Sequence, residues 1–191
     1  MNKRDLILYV HGWNSHAKAR KAQLIEHELK YHEIFDTASI TLNNHPREAV
    51  KQLTEFISEK QSRYNVHLVG SSLGGYYAVY LAETLNLKAA MINPAVWAYK
   101  IFENDRGHGE NLNTGEKYVI ELAWIDRLEE IFIEDPTPDR YLVLLQTGDE
   151  TLDYKYAEKY FSGARIVIDE GGSHSFDALE QKIPQILLHF Y

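Results

Sequence analysis

The stretch from Val66 to Gly75, V-H-L-V-G-S-S-L-G-G, constrains the fold of this chain more than any other. A short apolar run ends at Gly70, two serines follow, and Gly74 and Gly75 begin a segment of helical character. The pattern predicts a strand, a sharp turn and a helix. Glycines suit such a turn, because residues without a Cβ let the two flanking backbones approach and tolerate unusual dihedral angles.

Ser72 lies at the apex of the predicted turn. Glycine stands two residues before it and two residues after it, which gives the spacing G-x-S-x-G, whereas Ser71 lacks glycine at both positions. This spacing is typical of a nucleophile elbow, a turn that holds a serine exposed at the C-terminal end of a strand. The glycine patterns of dinucleotide sites and P-loops do not fit the stretch. A glycine turn without chemistry stays open as an alternative for the pentapeptide taken alone.

Length and composition narrow the class of protein. With 191 residues, 45% hydrophobic and 25% charged, the chain fits one globular domain, residues 1–191. A net charge of −8 disfavours nucleic acid as a partner, because phosphate binding needs a basic face. No apolar run approaches the roughly 20 residues of a membrane span, and the run at Leu6–Val10 is too short for a signal peptide. The absence of cysteine is compatible with the cytoplasm, where we expect the protein.

Apolar runs alternate with amphipathic segments along most of the chain. The alternation predicts an α/β fold, a three-layer sandwich with a mainly parallel sheet of about six strands. At 94–140 the alternation stops, and polar residues, glycine and aromatics predict a short cap or lid insertion. We expect strands at 6–10, 38–42, 66–69, 87–92, 141–145 and 164–168, and helices from 14 or 15 to 30 and at 46–57, 74–85, 154–161 and 176–190.

A serine nucleophile needs an adjacent base that takes its proton. In chains with this elbow the acid and then the histidine follow the serine, so the base is one of His108, His174 and His189. His174 follows the last predicted strand in a glycine-rich loop that can reach back to Ser72. His108 lies within the insertion and His189 within the closing helix. The predicted base is therefore His174.

Asp149 is the predicted acid. It closely follows the predicted strand 141–145, at the sheet edge where the carboxyl ends of parallel strands meet, and it would orient the imidazole and stabilise the imidazolium. Asp153 is the alternative, although a helix N-cap explains that residue as well. Glu150 is a further candidate, and Asn93, after the fourth strand, cannot supply the charge.

Acyl transfer also needs hydrogen-bond donors for the oxyanion that develops. The backbone N–H of Leu73, directly after the serine, is one predicted donor. The loop after the first strand would supply the second, and the N–H of Trp13 is placed for it. His11 and Gly12 precede Trp13, and a tight turn with a packed imidazole explains them as well.

No metal and no cofactor are expected. His27 and His32 are five residues apart, whereas the zinc motif H-E-x-x-H places its histidines four apart on one helical face.

The aromatic residues of the insertion have two interpretations. They would line an acyl pocket above the strand ends, or they would seal the core. These residues are Trp97, Tyr99, Phe102, Tyr118 and Trp124.

Six short stretches together resemble the α/β-hydrolase superfamily and, within it, the small bacterial YqiA/YcfP-type esterases. They are L-Y-V-H-G-W-N-S at 8–15, G-S-S-L-G-G-Y-Y-A at 70–78, I-N-P-A-V at 92–96, N-T-G-x-x-Y at 113–118, T-G-D-E-T-L-D-Y at 147–154 and E-G-G-S-H-S-F at 170–176. The resemblance implies the strand order 2-1-3-4-5-6 and an esterase or thioesterase with Ser72, Asp149 and His174 at the triad positions. Trp13 departs from the phenylalanine that is common at its position.

The expected protein is a serine hydrolase that cleaves a small-molecule acyl ester or thioester. Two alternatives stay open: an acyltransferase that uses the same three residues, and a non-catalytic binding protein that keeps the fold. The sequence carries no signal for an oligomeric state.

Overall fold

The computed structural model describes residues 3–111, 113 and 115–191. Thr114, which belongs to the N-T-G-x-x-Y stretch, and the first two residues of the chain lie outside the described residues. The strands are β1 (Arg4–Val10), β2 (Phe35–Ser39), β3 (Tyr64–Ser72), β4 (Ala89–Pro94), β5 (His108–Asn111), β6 (Glu116–Val119), β7 (Tyr141–Gln146) and β8 (Arg165–Asp169). The helices are α1 (Arg20–Leu29), α2 (Pro46–Lys60), α3 (Leu73–Leu85), α4 (Ala98–Asn104), α5 (Leu122–Glu130), α6 (Tyr154–Tyr160) and α7 (Ile183–Phe190).

Six of the strands form one sheet in the order β2-β1-β3-β4-β7-β8, and every neighbouring pair in it is parallel. The remaining two, β5 and β6, pair as an antiparallel hairpin within residues 94–140, the segment predicted to be an insertion and called the insertion below. The prediction of a parallel six-stranded α/β fold is confirmed. The order 2-1-3-4-5-6 is also confirmed when only the strands of the large sheet are counted.

Side chains of β1 alternate between two hydrophobic cores, one on each face of the sheet. Ile7 and Tyr9 pack in the core that includes residues of α1 and α7, while Leu6, Leu8 and Val10 pack in the core that includes residues of α2 and α3. The sheet therefore forms the middle layer of three. No helix of the described residues is long and apolar enough to cross a membrane.

The glycines of the elbow lie against backbone of neighbouring elements. A Cβ on Gly70 would come within 2.7 Å of the Gly75 Cα, and a Cβ on Gly75 would come within 2.7 Å of the Pro94 Cβ. A Cβ on Gly74 would collide with the carbonyl of Val10. These three positions lack a Cβ because β1, β4 and the first turn of α3 meet there.

The predicted start of the first helix is wrong. The helix begins at Arg20 and not at Asn14 or Ser15. Asn14 has a φ of 52°, which a right-handed helix excludes. The N–H of Ala17 donates to the Thr41 hydroxyl at 3.1 Å, so the segment before Arg20 is anchored to the loop after β2.

The second predicted strand is displaced. It covers Phe35–Ser39 and not 38–42. The N–H of Leu42 donates to Nε2 of His11 at 3.0 Å, so this part of the chain has left the sheet ladder and pairs with a side chain.

The closing helix is shorter than the predicted 176–190. Phe176 and Ala178 have φ values of 62° and 54°, which interrupt a helix. A 3-10 turn follows at Leu179–Lys182, and α7 begins after it with Pro184 in its first turn, where a missing N–H costs no helical hydrogen bond.

His67 is a titratable group buried between β3 and α7. Its Nε2 lies 2.9 Å from Oδ1 of Asp5, and its ring stacks on Phe190 with centroids 4.6 Å apart. The Nδ1 atom is buried and has no hydrogen-bond partner among the described residues. Burial lowers the pKa of His67 and outweighs the opposing effect of Asp5. The folded protein therefore favours the neutral imidazole.

We predict that this burial makes the folded state acid-sensitive. Because the folded-state pKa of His67 is lowered, the unfolded chain takes up the proton first, so stability is full above about pH 6.5 and falls below it. One histidine contributes a slope of at most about 1.4 kcal/mol per pH unit. Urea unfolding followed by circular dichroism between about pH 7.5 and 5.5 should show a smaller slope for His67→Gln than for the wild type.

His27→Gln is the matched control, since the side chain of His27 is 83% exposed. Burial also lowers the pKa values of His11 and His189, so part of the slope will persist in the His67 variant. Equal slopes in the wild type and His67→Gln would contradict the assignment to His67.

Candidate active site

Ser72 lies at the junction of β3 and α3 with an unusual backbone conformation. Its φ is 54° and its ψ is −125°, values that a non-glycine residue adopts only where its surroundings enforce them. The conformation ends the strand and starts the helix within one residue. Ser72 is partly exposed, whereas Ser71 is only 2% exposed.

Three of the predicted residues form a hydrogen-bonded chain. Nε2 of His174 lies 3.1 Å from Oγ of Ser72. Nδ1 of the same imidazole lies 3.0 Å and 2.9 Å from the two carboxylate oxygens of Asp149. The three side chains come from different parts of the sequence, at the end of β3 and after β7 and β8, and meet at the carboxyl edge of the sheet.

Asp149 is held in its charged form. Burial by itself raises the pKa of this carboxyl group, but the hydrogen bond with His174 and the N–H groups of Leu152 and Thr151 outweigh it and bring the pKa below the usual value. Both N–H groups donate to Oδ1 at 2.8 Å. The side chain is 2% exposed, so its charge acts on the imidazole with little screening by solvent.

The two alternative acids have other partners. Asp153 is the N-cap of α6, where its carboxylate accepts the N–H of Lys155 at 3.0 Å. The carboxylate of Glu150 accepts the backbone N–H of His174 at 3.0 Å. Asp153 therefore has the helix N-cap role that the sequence also allowed. Glu150 contacts the main chain of His174 and not its imidazole.

The other two candidate histidines lie in different elements. His108 is exposed in β5 of the hairpin. His189 lies in α7, where its Nε2 donates to the carbonyl of Arg140 at 3.0 Å.

Asn93 is a buried residue that the sequence indicates only as a polar group at a strand end. Its amide donates to the carbonyl of Ser173 at 3.0 Å, and its Oδ1 accepts the N–H of Gln146 at 3.0 Å. The Oε1 of Gln146 in turn accepts the N–H groups of Ser173 and Asp177 at 3.1 and 2.8 Å. The two amides therefore tie the loop that carries His174 to β4 and β7. Asn93 has a φ of 40°, and asparagine is one of the residue types that tolerate a positive φ. The residue type is therefore the only sequence signal that fits this position.

The loop after β1 lies directly beside the serine. A Cβ on Gly12 would come within 3.0 Å of the Ser72 Cβ. The N–H of the next residue, Trp13, makes no hydrogen bond to another described residue. Leu73 is the first residue of α3, where a helix leaves its N–H groups without an intrahelical acceptor.

His11 fixes this loop to its neighbour. Its Nε2 accepts the N–H of Leu42, so the proton of the neutral ring is on Nδ1, which lies 2.9 Å from the carbonyl of Gly12. Burial lowers the pKa of His11 and favours that neutral form. The contacts agree with the explanation of His11 as a packed imidazole beside a tight turn.

The aromatic residues of the insertion enclose Trp13. Its indole contacts Phe102, Tyr118 and Trp124 with centroids 4.7, 5.0 and 5.7 Å apart, all edge to face. The amide of Asn14 donates to the Tyr118 hydroxyl at 2.9 Å. Phe102 and Trp124 are each 6% exposed, so this part of the insertion seals the core.

Two cavities adjoin these residues. One of about 210 Å³ is lined by Ser72, His174 and the loop after β1. The other, of about 550 Å³, lies against α4 and α6 and has Trp97, Leu152 and Tyr156 in its wall, whereas neither Ser72 nor His174 lines it. In the described residues no group of three or more His, Asp or Glu side chains could hold a metal ion.

Known structures share this architecture. Est1E from Butyrivibrio proteoclasticus, solved with ferulic acid bound, superposes with a TM-score of 0.78 at 16% sequence identity, over 98% of this chain and 90% of Est1E. Alpha/beta hydrolase domain-containing protein 10 from mouse superposes with a TM-score of 0.67 at 18% identity, over 99% of this chain and 88% of that chain. At these identities the comparison establishes the α/β-hydrolase fold.

Sequence comparison identifies the family. The UPF0227 protein YcfP of Salmonella gallinarum is 25% identical over 186 residues, which cover 95% of this chain and 96% of YcfP. The model of the uncharacterised protein family UPF0227 matches residues 6–191. The chain therefore belongs to the UPF0227 family, and its fold is that of an α/β-hydrolase.

Proposed function

We propose that the protein is a serine hydrolase, an esterase or thioesterase that cleaves acyl esters through an acyl-enzyme on Ser72. The observation that carries the proposal is the hydrogen-bonded chain from Ser72 Oγ through His174 to Asp149. A serine hydroxyl, an imidazole and a buried carboxylate in this order are what nucleophilic acyl transfer requires.

In the first half of the proposed reaction, Nε2 of His174 takes the proton of Ser72 as Oγ bonds to the substrate carbonyl carbon. The resulting oxyanion accepts hydrogen bonds from the N–H groups of Leu73 and Trp13. The imidazolium then protonates the leaving alcohol or thiol as its bond to the carbonyl carbon breaks. Asp149 stabilises the imidazolium and fixes its tautomer.

In the second half, His174 takes a proton from water, whose oxygen attacks the acyl-enzyme. The second tetrahedral intermediate collapses, the proton returns to Oγ of Ser72, and the carboxylic acid leaves. The 550 Å³ cavity with Trp97, Leu152 and Tyr156 has an apolar wall suited to an acyl chain. Trp97 would then have the acyl-pocket role, while Phe102 and Trp124 seal the core.

The geometry of the hairpin and the loop after β1 supports the assignment of Trp13. The edge-to-face contacts with Phe102, Tyr118 and Trp124 restrict the indole, and the bond between Asn14 and Tyr118 restricts the residue that follows it. An oxyanion donor is effective when it is positioned before the charge develops, because no reorganisation is then needed during the reaction.

A fluorophosphonate probe tests the nucleophile. We expect the wild-type protein to gain one covalent adduct on Ser72 by mass spectrometry, and Ser72→Ala to gain none. Ester turnover by Ser72→Ala should fall by about 10⁴-fold or more, because the variant has no group that can form the acyl-enzyme. Ser62→Ala, at an exposed serine, is the control and should behave like the wild type.

Absence of an adduct on wild-type protein that is folded by circular dichroism would rule out the hydrolase proposal and favour a non-catalytic binding protein. Product analysis separates the acyltransferase alternative: a hydrolase releases the free acid in step with the alcohol or thiol.

Replacement of each aspartate by asparagine tests the acid. In Asp149→Asn the new Oδ1 can still accept the N–H groups of Thr151 and Leu152, so the variant removes the charge and keeps the loop. We expect kcat to fall by about 10³- to 10⁴-fold. Asp153→Asn, the matched control, should lose less than about threefold, because asparagine is also a good N-cap. A larger loss in the Asp153 variant than in the Asp149 variant would reverse the assignment.

A further inference from the structure

The 210 Å³ cavity beside Ser72 and His174 has a basic wall. Arg20 and Lys21, the first two residues of α1, line it together with Ser15. Within the described part of the chain, no aspartate or glutamate lines this cavity. The charged side chains of the lining other than His174 are therefore both cationic, whereas the whole protein has a net charge of −8; the carboxylate of Asp149, bonded to Nδ1 of His174, is not part of the lining.

The two cations lack a carboxylate partner. Among the residues that the structure describes, neither Arg20 nor Lys21 forms an ion pair, and Lys21 is partly buried. Burial and the adjacent guanidinium lower the pKa of Lys21, while the charge of Asp149 opposes that shift. A desolvated ammonium next to a second cation is destabilised, and a bound anion would relieve this.

The start of α1 adds to the positive potential. Its first turn has no acidic residue, and Ala19 at the N-cap offers no side-chain acceptor. Ala19, Arg20 and Lys21 all line the cavity, so the N-terminal end of α1, which is the positive end of the helix dipole, lies at its wall.

The basic side chains and the serine share one small cavity. Ser72, His174, Arg20 and Lys21 all line the space of about 210 Å³. An anion bound by the two cations would therefore lie in the same cavity as the scissile bond.

We propose that Arg20 and Lys21 bind an anionic group of the substrate, a carboxylate or phosphate, so that the preferred substrate is a small acyl ester or thioester with a negative charge close to the scissile bond. This inference rests on the proposed hydrolase function and names its substrate class. The anion would be attached either to the acyl group or to the leaving group.

Two matched pairs of substrates distinguish these cases. The acyl-side pair is the 4-nitrophenyl monoester of glutaric acid and its neutral analogue with a terminal amide. The leaving-group pair is S-acetyl thioglycolate and S-acetyl thioglycolamide. Ellman's reagent can follow the released thiol without background from the protein, because the chain has no cysteine.

We expect wild-type kcat/KM to favour the anionic member of one pair by about tenfold or more. Lys21→Met should reduce that ratio by about tenfold, Lys21→Arg should retain most of it, and added salt should reduce the wild-type ratio by screening. Lys30→Met, at the exposed end of the same helix, is the control and should leave the ratio unchanged. Wild-type ratios near one in both pairs, or equal ratios in Lys21→Met and the wild type, would overturn the inference.

A binding measurement separates this inference from the proposed hydrolase function. Titration calorimetry with glutarate needs no turnover, and we expect about tenfold weaker binding by Lys21→Met than by the wild type. Equal affinities would overturn the anion site. If none of the four esters is hydrolysed and Ser72 gains no fluorophosphonate adduct, while glutarate binding still depends on Lys21, the hydrolase proposal fails and the anion site stands.

Discussion

The left-handed backbone of Ser72 is the constraint on which the rest of the structure depends. A φ of 54° is unfavourable for serine, and the neighbouring elements enforce it. Gly70, Gly74 and Gly75 pack so closely against each other and against β1 and β4 that the chain has no space to relax. The strand must therefore end at Ser72 and α3 must begin at the next residue. This backbone geometry places the Ser72 hydroxyl beside the imidazole of His174.

The side chains around Ser72 are held by different means. Ser72 is fixed by main-chain packing, whereas His174 lies on the loop after β8. Asn93 and Gln146 restrain that loop with buried hydrogen bonds, and Glu150 adds one to the N–H of His174. Each buried amide has its polar atoms paired with main-chain groups of this loop or its neighbouring strand. Such satisfied networks rigidify a site, since an unpaired polar group in the interior is costly.

Much of the fold and of the candidate site can be predicted from the sequence because the signals are local. Short apolar runs mark the strands, glycine spacing marks the elbow, and Asp149 and His174 stand in the order that the elbow implies. The errors arise where distant contacts override local pattern. The segment after Asn14 has helical character, but it bonds to the loop after β2. Leu42 lies in the predicted second strand, but its N–H donates to the imidazole of His11 and not to a neighbouring strand.

Asn93 and Gln146 show the same limit within the site. Their partners lie on a loop about 30 to 80 residues away in sequence, and each amide is unremarkable by itself. The sequence shows Arg20 and Lys21 as adjacent basic residues that could contribute to a basic patch, but it does not place them beside Ser72, because Lys and Arg at a helix start ordinarily face solvent. Only the fold shows that this helix begins beside Ser72.

The environment of Trp13 links two parts of the molecule that would otherwise be regarded as independent. Its loop belongs to the sheet, yet the three rings that enclose it belong to the insertion. An insertion from another family member could not be grafted onto this core alone, since the indole would lose its cover and the loop beside Ser72 its support. The loop and the insertion must be exchanged together, and natural sequence changes in one should be accompanied by changes in the other.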